Sequence, residues 1–139
     1  MTPHYHSDNT IPREFKGAQP WIWVFGSNEK GAHGAGAAKV AHVSYGAKYG
    51  VGRGMTGSAY AIPTKDRRIQ TLPLEVVVAN VAEFIEFAKA NPDKRFYVTR
   101  VGCGLAGFQD DQIGPLFSAA PENCSLPIEW ARFVDAFAV

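Results

Sequence analysis

Two glycine-rich segments contain most of the residues of this chain that could bind an anionic ligand. The first covers residues 26–36 (GSNEKGAHGAG), and the second covers residues 101–108 (VGCGLAGF). Glycine lets the backbone approach a phosphate closely, and successive N–H groups in such turns form a concavity that binds anions. We therefore expect both segments to bind a phosphate-bearing ligand, with tight turns that bind nothing as the alternative. The predicted ligand contacts are Ser27, Asn28, His33, Gly34, Ala35, Gly36, Gly102, Cys103, Gly104, Leu105, Ala106, Gly107 and Phe108.

Several side chains in or near these segments could do more than bind. Asn28 can offer both hydrogen-bond donors and an acceptor to a ribose or an amide. Lys65 follows the run YAIPT and could bind a phosphate or attack an electrophilic carbon, with an ordinary surface lysine as the alternative. Cys103 could be a nucleophile beside a base such as His33 or His42, although a small buried thiol is the more common case. His33 itself would either touch the ligand or face solvent.

The periodicity of apolar residues indicates the elements that position these side chains. Short β-branched and aromatic runs predict strands, and an apolar stripe at helical spacing predicts a helix over Leu74–Asn91. Because strands and helices alternate, we predict an α/β sheet with helices packed on it, whose ligands gather at the carboxyl ends of the strands. The predicted strands are Trp21–Phe25, Tyr60–Pro63, Phe96–Val101 and Leu126–Trp130, and shorter helices are expected from Ala37 to Gly46 or Gly50 and over Asp110–Phe117.

A third glycine-rich stretch, residues 50–57 (GVGRGMTG), contains a G-x-G-x-x-G pattern. This pattern binds dinucleotides when it follows a strand and opens a helix. Neither element is indicated here, so we expect a mobile loop over the site rather than a dinucleotide fingerprint.

The bulk composition limits the possible functions. A net charge of +1 over 139 residues gives no basic surplus for binding duplex nucleic acid, which is expected only as a modified substrate. His4 and His6 lack a third ligand nearby, so neither a metal nor a cofactor is expected. Two cysteines, no signal-peptide pattern and no long apolar stretch favour a cytoplasmic protein without a membrane span. Residues 1–20 hold three prolines and predict an extended or partly ordered arm before a single domain over 21–139.

Taken together, the segments VFGSNEKGAHGAGAAKVA, YAIPTKD and VTRVGCGLAGF resemble the macrodomain family of ADP-ribose binders and hydrolases. The likeness is greatest to the branch that includes terminal ADP-ribose protein glycohydrolase and the bacterial DNA ADP-ribosyl glycohydrolase antitoxins, and some small phage-related proteins share the pattern. The matched segments span residues 21–130, and their order and spacing are more specific than any one motif. The resemblance implies a mixed central sheet flanked by helices.

The resemblance also implies roles for individual residues. Asn28 would contact the distal ribose, Gly34 and Gly36 would line the catalytic loop, and residues 102–106 would wrap the diphosphate. Lys65 falls where the hydrolase branch has its proposed nucleophile. Two departures matter: Ala106 stands where that branch carries an acid/base aspartate, for which Asp110 or Asp111 could substitute, and no early Gly-Asp-Ile pattern for adenine recognition is present.

Three functional hypotheses follow. The first is an enzyme that hydrolyses an ADP-ribosyl linkage, with Lys65, Asn28 and Asp110 as the catalytic residues. The second is a non-catalytic module that binds or sequesters ADP-ribose or a related signalling nucleotide, as Ala106 would suggest. The third and weaker one is a binder of single-stranded nucleic acid. Its stacking surfaces would be Trp21, Trp23, Tyr45, Tyr49 and Phe108.

Overall fold

A computed structural model describes residues 3–7 and 21–135 of the chain. They form a six-stranded sheet with helices on both faces. The strands are β1 (His4–His6), β2 (Trp21–Asn28), β3 (Gly54–Thr56), β4 (Ala59–Lys65), β5 (Arg95–Val98) and β6 (Cys124–Pro127). The α-helices are α1 (Gly36–Tyr45), α2 (Leu74–Ala90), α3 (Asp110–Ile113) and α4 (Ala131–Asp135), and 3₁₀ turns cover Gly114–Phe117 and Ile128–Trp130.

The strand order is β1-β6-β5-β2-β4-β3, and only the β3–β4 pair is antiparallel. β2 therefore lies at the centre, with Val24 paired to Tyr60 of β4 on one side and to Val98 of β5 on the other. Because β5, β2 and β4 are parallel and adjacent, their carboxyl ends meet at one edge of the sheet. The expected mixed α/β sheet flanked by helices is confirmed.

Alternate side chains of β2 enter two separate cores. Ile22 and Val24 pack against α2 on one face, while Trp23 and Phe25 pack beside α1 on the other. Burial of each such side chain contributes about 1.5–3 kcal/mol to the free energy of unfolding, so the packing on both faces stabilises the sheet. Helix α1 lies close to the sheet because its buried side is made of alanines, and the indole of Trp23 donates a hydrogen bond to Ala37 O (3.0 Å).

The predicted elements were mostly right in kind and less exact in length. β2 continues past Phe25 to Asn28 because residues 26–28 pair with β4, so the expected loop begins later. α1 ends where Gly46 adopts a left-handed φ of 77°, one of the two predicted ends. β5 stops at Val98, the region 110–117 divides into α3 and a 3₁₀ turn that contains Pro115, and the predicted strand over 126–130 turns helical after Pro127.

The beginning of the predicted N-terminal arm is part of the sheet. His4–His6 forms the edge strand β1 beside β6, whereas residues 8–20 lie outside the described residues. The ring of His6 stacks on Tyr97 at 3.8 Å, and its Nδ1 lies 2.8 Å from the Ser125 hydroxyl.

Among residues 3–7 and 21–135 there is no group of three potential metal ligands, and no helix that is long and apolar enough to cross a bilayer.

Candidate functional site

A cleft of about 630 Å³ opens where β5, β2 and β4 end, a size typical of ligand sites. Both glycine-rich segments that were predicted to bind an anion contribute to its walls, together with the end of β4. Of the predicted site residues, those that line the cleft are Ser27, Asn28, Gly34, Ala35, Gly36, Lys65, Gly102, Cys103, Gly104, Leu105 and Ala106. His33, Gly107, Phe108 and Asp110 do not line it.

The side chain of Asn28 closes the first glycine-rich segment. Its Nδ2 donates to Ala32 O (2.9 Å), and its Oδ1 accepts from Ala32 N–H (3.0 Å). The amide thus imitates a backbone pair and fixes the segment at the end of β2. One N–H of Nδ2 and one lone pair of Oδ1 are not used in this pair and could still meet a ligand.

His33 supports this segment from behind. It is fully buried, so the expectation of solvent exposure is wrong, and its side chain is also off the wall of the cleft. Its Nε2 lies 2.9 Å from Lys48 O, and a carbonyl can only accept, so Nε2 carries the proton. The ring stands edge-on to Phe25, and Tyr49 donates to His33 O (3.3 Å). A contact between ligand and side chain is thereby disfavoured.

The third glycine-rich stretch is also a support rather than a loop over the site. Residues 54–56 form β3, an edge strand of the sheet, which contradicts the expected mobile loop. A Cβ at Gly52 would overlap Asn28 O, and the Ser27 hydroxyl donates to Gly52 O. Gly52 is therefore required by close packing beneath the end of β2, and the stretch contributes nothing to the cleft wall.

Two cleft glycines, in contrast, have no role in the fold that would require glycine. Gly34 and Gly104 lie outside the left-handed φ region, and a Cβ at either position would meet no atom within 4 Å. One belongs to each of the two glycine-rich segments that line the cleft. The absence of a side chain at both positions leaves the backbone of the cleft wall open to close approach by a ligand.

Asp110 is engaged in a network beside the cleft instead of facing into it. Arg100, which lines the cleft, donates from Nε to Asp110 Oδ1 (3.1 Å) and from Nη2 to Oδ2 (2.7 Å). The indole of Trp130 also donates to Oδ1 (2.8 Å). Burial alone would raise the pKa of Asp110, but the hydrogen bonds from Arg100 and Trp130 outweigh it, and the pKa is lowered. An acid/base role for Asp110 is therefore disfavoured, because both carboxylate oxygens already accept hydrogen bonds and the carboxylate is ionised.

The rest of the second segment divides between wall and core. Phe108 packs against the core and its N–H donates to Gly102 O (2.9 Å), which turns the segment back toward α3. Burial, with Asp110 nearby, raises the pKa of Cys103 to about 12. Its thiol is therefore protonated near neutral pH, and the ordinary half-buried thiol is the better interpretation.

Lys65 lies at the end of β4, level with Asn28 of β2. Its carbonyl accepts the Glu29 N–H (2.9 Å), whereas its ammonium makes no hydrogen bond or ion pair within the described part of the chain. The charged side chains in the described part of the cleft wall are those of Lys65 and Arg100. This part of the wall includes no carboxylate and no histidine. The cleft therefore favours an anionic ligand.

Several other residues of the cleft wall were not predicted from the sequence. Thr64 and Thr99 come from ends of strands, and Thr99 donates to Val24 O (2.8 Å). Ile69 is 43% exposed and adopts a positive φ of 63°, which is rare for a β-branched residue. Arg100 carried the same kind of signal as Lys65, a cation at a strand end, and could have been found that way. The further unpredicted wall residues are Gly26, Ala32, Ala37 and Ala38.

Two solved structures share this fold. The structure of Thermosipho africanus DarTG in complex with ADP-ribose is 17% identical, with a TM-score of 0.54 over 76% of this chain and 37% of that chain. A protein of unknown function from Bacteroides thetaiotaomicron is 13% identical, with a TM-score of 0.59 over 91% of this chain and 98% of that chain. No protein-family profile and no curated protein matches the sequence. The chain thus forms an α/β domain whose mixed, mostly parallel six-stranded sheet resembles a macrodomain fold.

Proposed function

We propose that this domain binds ADP-ribose, or a related ADP-ribosyl nucleotide, in the cleft at the carboxyl ends of β5, β2 and β4. The observation that carries the proposal is the composition of the cleft wall. Two glycines that the fold does not require, Gly34 and Gly104, line the same cleft as the cations Lys65 and Arg100. Such a wall admits a phosphate to the backbone and attracts its charge. The fold shared with a protein solved in complex with ADP-ribose supports the same ligand.

In the proposed complex the diphosphate lies on backbone N–H groups of residues 34–36, 102 and 104–106, since the Cys103 N–H already donates to Arg100 O (3.1 Å). The distal ribose lies toward Asn28 and Lys65, which are level in adjacent strands. His33 and Gly52 pack behind the first segment, and Phe108 anchors the second to the core. The backbone of both segments is therefore ordered before the ligand binds, which reduces the entropy cost of binding.

Calorimetric titration of the full chain with ADP-ribose, alongside AMP and NAD, tests this proposal. We expect ADP-ribose to bind with micromolar or lower Kd and to raise the thermal midpoint of unfolding by mass action. The absence of both heat and thermal shift with all three ligands would refute the proposal while leaving the fold unaffected.

Hydrolysis of an ADP-ribosyl linkage is the second candidate, favoured by the unpartnered Lys65 ammonium at the cleft wall. Once deprotonated, the amine would attack the anomeric carbon and the bond to the leaving group would break, with a solvent proton going to that group. Water would then release ADP-ribose and regenerate the amine. Because the described wall has no carboxylate, it lacks a carboxylic acid that could protonate the leaving group, and binding without turnover is the better-supported function.

The two candidates are separated by Lys65→Ala, with Lys39→Ala on the exposed side of α1 as the control. Release of ADP-ribose from an ADP-ribosylated protein and from an ADP-ribosylated oligonucleotide would be followed at 100-fold substrate excess. Turnover by the wild type that Lys65→Ala abolishes, while ADP-ribose binding remains, would establish the enzyme. No turnover by the wild type would establish a binding module, and full turnover by Lys65→Ala would remove the covalent mechanism.

The nucleic-acid hypothesis is weakened by where its aromatic residues lie. Trp23 is buried between Tyr97 and Tyr45, with ring centroids 5.2 and 5.0 Å away. Trp21, Tyr45 and Phe108 are partly buried against the two cores, which leaves only Tyr49 of the five exposed. One exposed ring is not a stacking platform.

A further inference from the structure

The Arg100 side chain lies at the cleft wall and is held by a chain of hydrogen bonds that ends in the core. Its two hydrogen bonds to Asp110 form a fork, in which Nε and Nη2 each meet a different carboxylate oxygen. Asp110 is fixed in turn by the indole of Trp130, a fully buried ring stacked on Phe117 at 4.8 Å. The forked geometry restricts the guanidinium plane and leaves Nη1 and one N–H of Nη2 free for an anion.

We propose that Asp110 and Trp130 position Arg100 as the second cationic contact of the cleft, so that the site selects nucleotides with a diphosphate over those with a monophosphate. This inference rests on the proposed function, since it describes how the same cleft would recognise its ligand. Arg100 would touch the ligand, whereas Asp110 and Trp130 would act through Arg100 as positioning residues.

The placement of the two cations carries the selectivity. Lys65 ends β4, Arg100 follows β5, and β2 lies between those strands, so the two residues lie on opposite sides of β2. Their backbones are two strand spacings apart across the sheet, about 10 Å, and are further offset along the strands because Lys65 is level with Asn28 whereas the β2–β5 pairing ends at Val24 and Val98. The fork with Asp110 holds the Arg100 guanidinium on its own side of β2. Two linked phosphates that lie across the end of β2 would therefore meet both cations at once, whereas a single phosphate beside Lys65 would not also draw Arg100 toward it. Net charge does not explain such a preference, because AMP above its second phosphate pKa of about 6 carries nearly two negative charges, as ADP-ribose does.

The first experiment compares Kd values for ADP-ribose, ADP and AMP at pH 8 in the wild type and in Arg100→Met. Loss of one charge-assisted contact should raise Kd by about 10- to 100-fold for ADP-ribose and ADP, and by less than about threefold for AMP. Arg53→Met is the matched control, because the Arg53 side chain is 47% exposed against 49% for Arg100, and its ion pair with Glu83 lies outside the cleft. An equal loss for all three ligands, or no loss, would overturn the selectivity.

Asp110→Asn tests the positioning. The asparagine keeps the shape, but its NH₂ group would face an Arg100 N–H, so the fork breaks while a nearby negative charge is also removed. Positioning predicts weaker ADP-ribose binding in Asp110→Asn, a smaller loss in Trp130→Phe, and no further loss when Asp110→Asn is added to Arg100→Met. Tighter binding by Asp110→Asn would mean that Asp110 only repels the ligand, which would overturn the inference.

These outcomes are distinct from a failure of the proposed function. If the wild type binds none of the three nucleotides, the function itself is wrong. If the wild type binds but the Arg100 and Asp110 variants match it, only the inference is wrong. Thermal midpoints of all variants, with Glu83→Gln as the counterpart of Asp110→Asn, separate loss of binding from loss of folding.

Discussion

Substitution of Gly104 by alanine is expected to stabilise the fold and to weaken ligand binding at the same time. The φ of Gly104 is not left-handed, and an added Cβ would meet no atom within 4 Å. At such a compatible position Gly→Ala stabilises a protein by about 0.4–1 kcal/mol, chiefly because it reduces the freedom of the unfolded chain. Gly104→Ala should therefore raise the thermal midpoint by about 1–4 °C.

The effect on ligand binding has the opposite sign. Gly104 lines the cleft, so the larger side chain of Gly104→Leu would occupy the space through which a phosphate reaches the backbone N–H groups. Loss of one charge-assisted hydrogen bond costs about 1.5–3 kcal/mol, which corresponds to roughly a 10- to 100-fold increase in Kd. Gly104→Ala should fall between the wild type and Gly104→Leu.

Thermal unfolding and calorimetric titration with ADP-ribose, made on the same preparations, measure both effects. Ser44→Leu adds the same side chain on the exposed part of α1, outside the cleft, and should leave Kd unchanged. Unchanged affinity in Gly104→Leu would refute the idea that the missing side chain serves the ligand. Marked destabilisation by Gly104→Ala would show instead that the glycine serves the fold.

Two further predictions concern the supports of the cleft and of the edge strand. Asn28→Ala removes both hydrogen bonds to Ala32, so the free energy of unfolding measured in urea should fall by about 1–2 kcal/mol. The Kd for ADP-ribose should also rise, because the first segment is no longer fixed at the end of β2. Burial lowers the pKa of His6 to about 4, partly opposed by a hydrogen bond to the backbone at Val98. Because the folded-state pKa lies below the unfolded value, the neutral histidine stabilises the fold above about pH 6.5 and loses this effect toward pH 4. Between pH 7 and 4, the free energy of unfolding should therefore fall by about 2–3 kcal/mol less in His6→Phe than in the wild type. Equal falls in the two proteins would contradict the assignment.

The elements and the cleft could be predicted because they depend on short-range patterns. The short aromatic and β-branched run WIWVF predicts a strand, and the apolar stripe of α2 predicts a helix, from neighbouring residues alone. Parallel strands that end in glycine or small polar residues place those endings at one edge, which is why the segments containing Gly34 and Gly104 meet across one cleft. The strand ends were less exact, since pairing with β4 extended β2 through a Gly-Ser-Asn that is typical of a turn.

The fates of His33 and Asp110 could not be predicted because distant residues decide them. His33 is buried beneath its segment by Lys48 and Tyr49, whose positions depend on how the chain returns after α1. Asp110 is directed away from the cleft by Trp130, twenty residues later, and by Arg100. A residue's type showed that it could do chemistry, but only the packing around it determined whether its side chain faced the ligand site.

The glycines show how a structural and a functional reason for the same residue type can be separated. Gly52 would place a Cβ on the backbone of Asn28, so the fold alone accounts for it, although it belongs to the best-known nucleotide motif in the sequence. Gly34 and Gly104 belong to no complete motif, yet nothing in the described fold requires them to lack a side chain. A glycine that the fold does not need, on the wall of a cationic cleft, is therefore stronger evidence for a phosphate ligand than the G-x-G-x-x-G pattern.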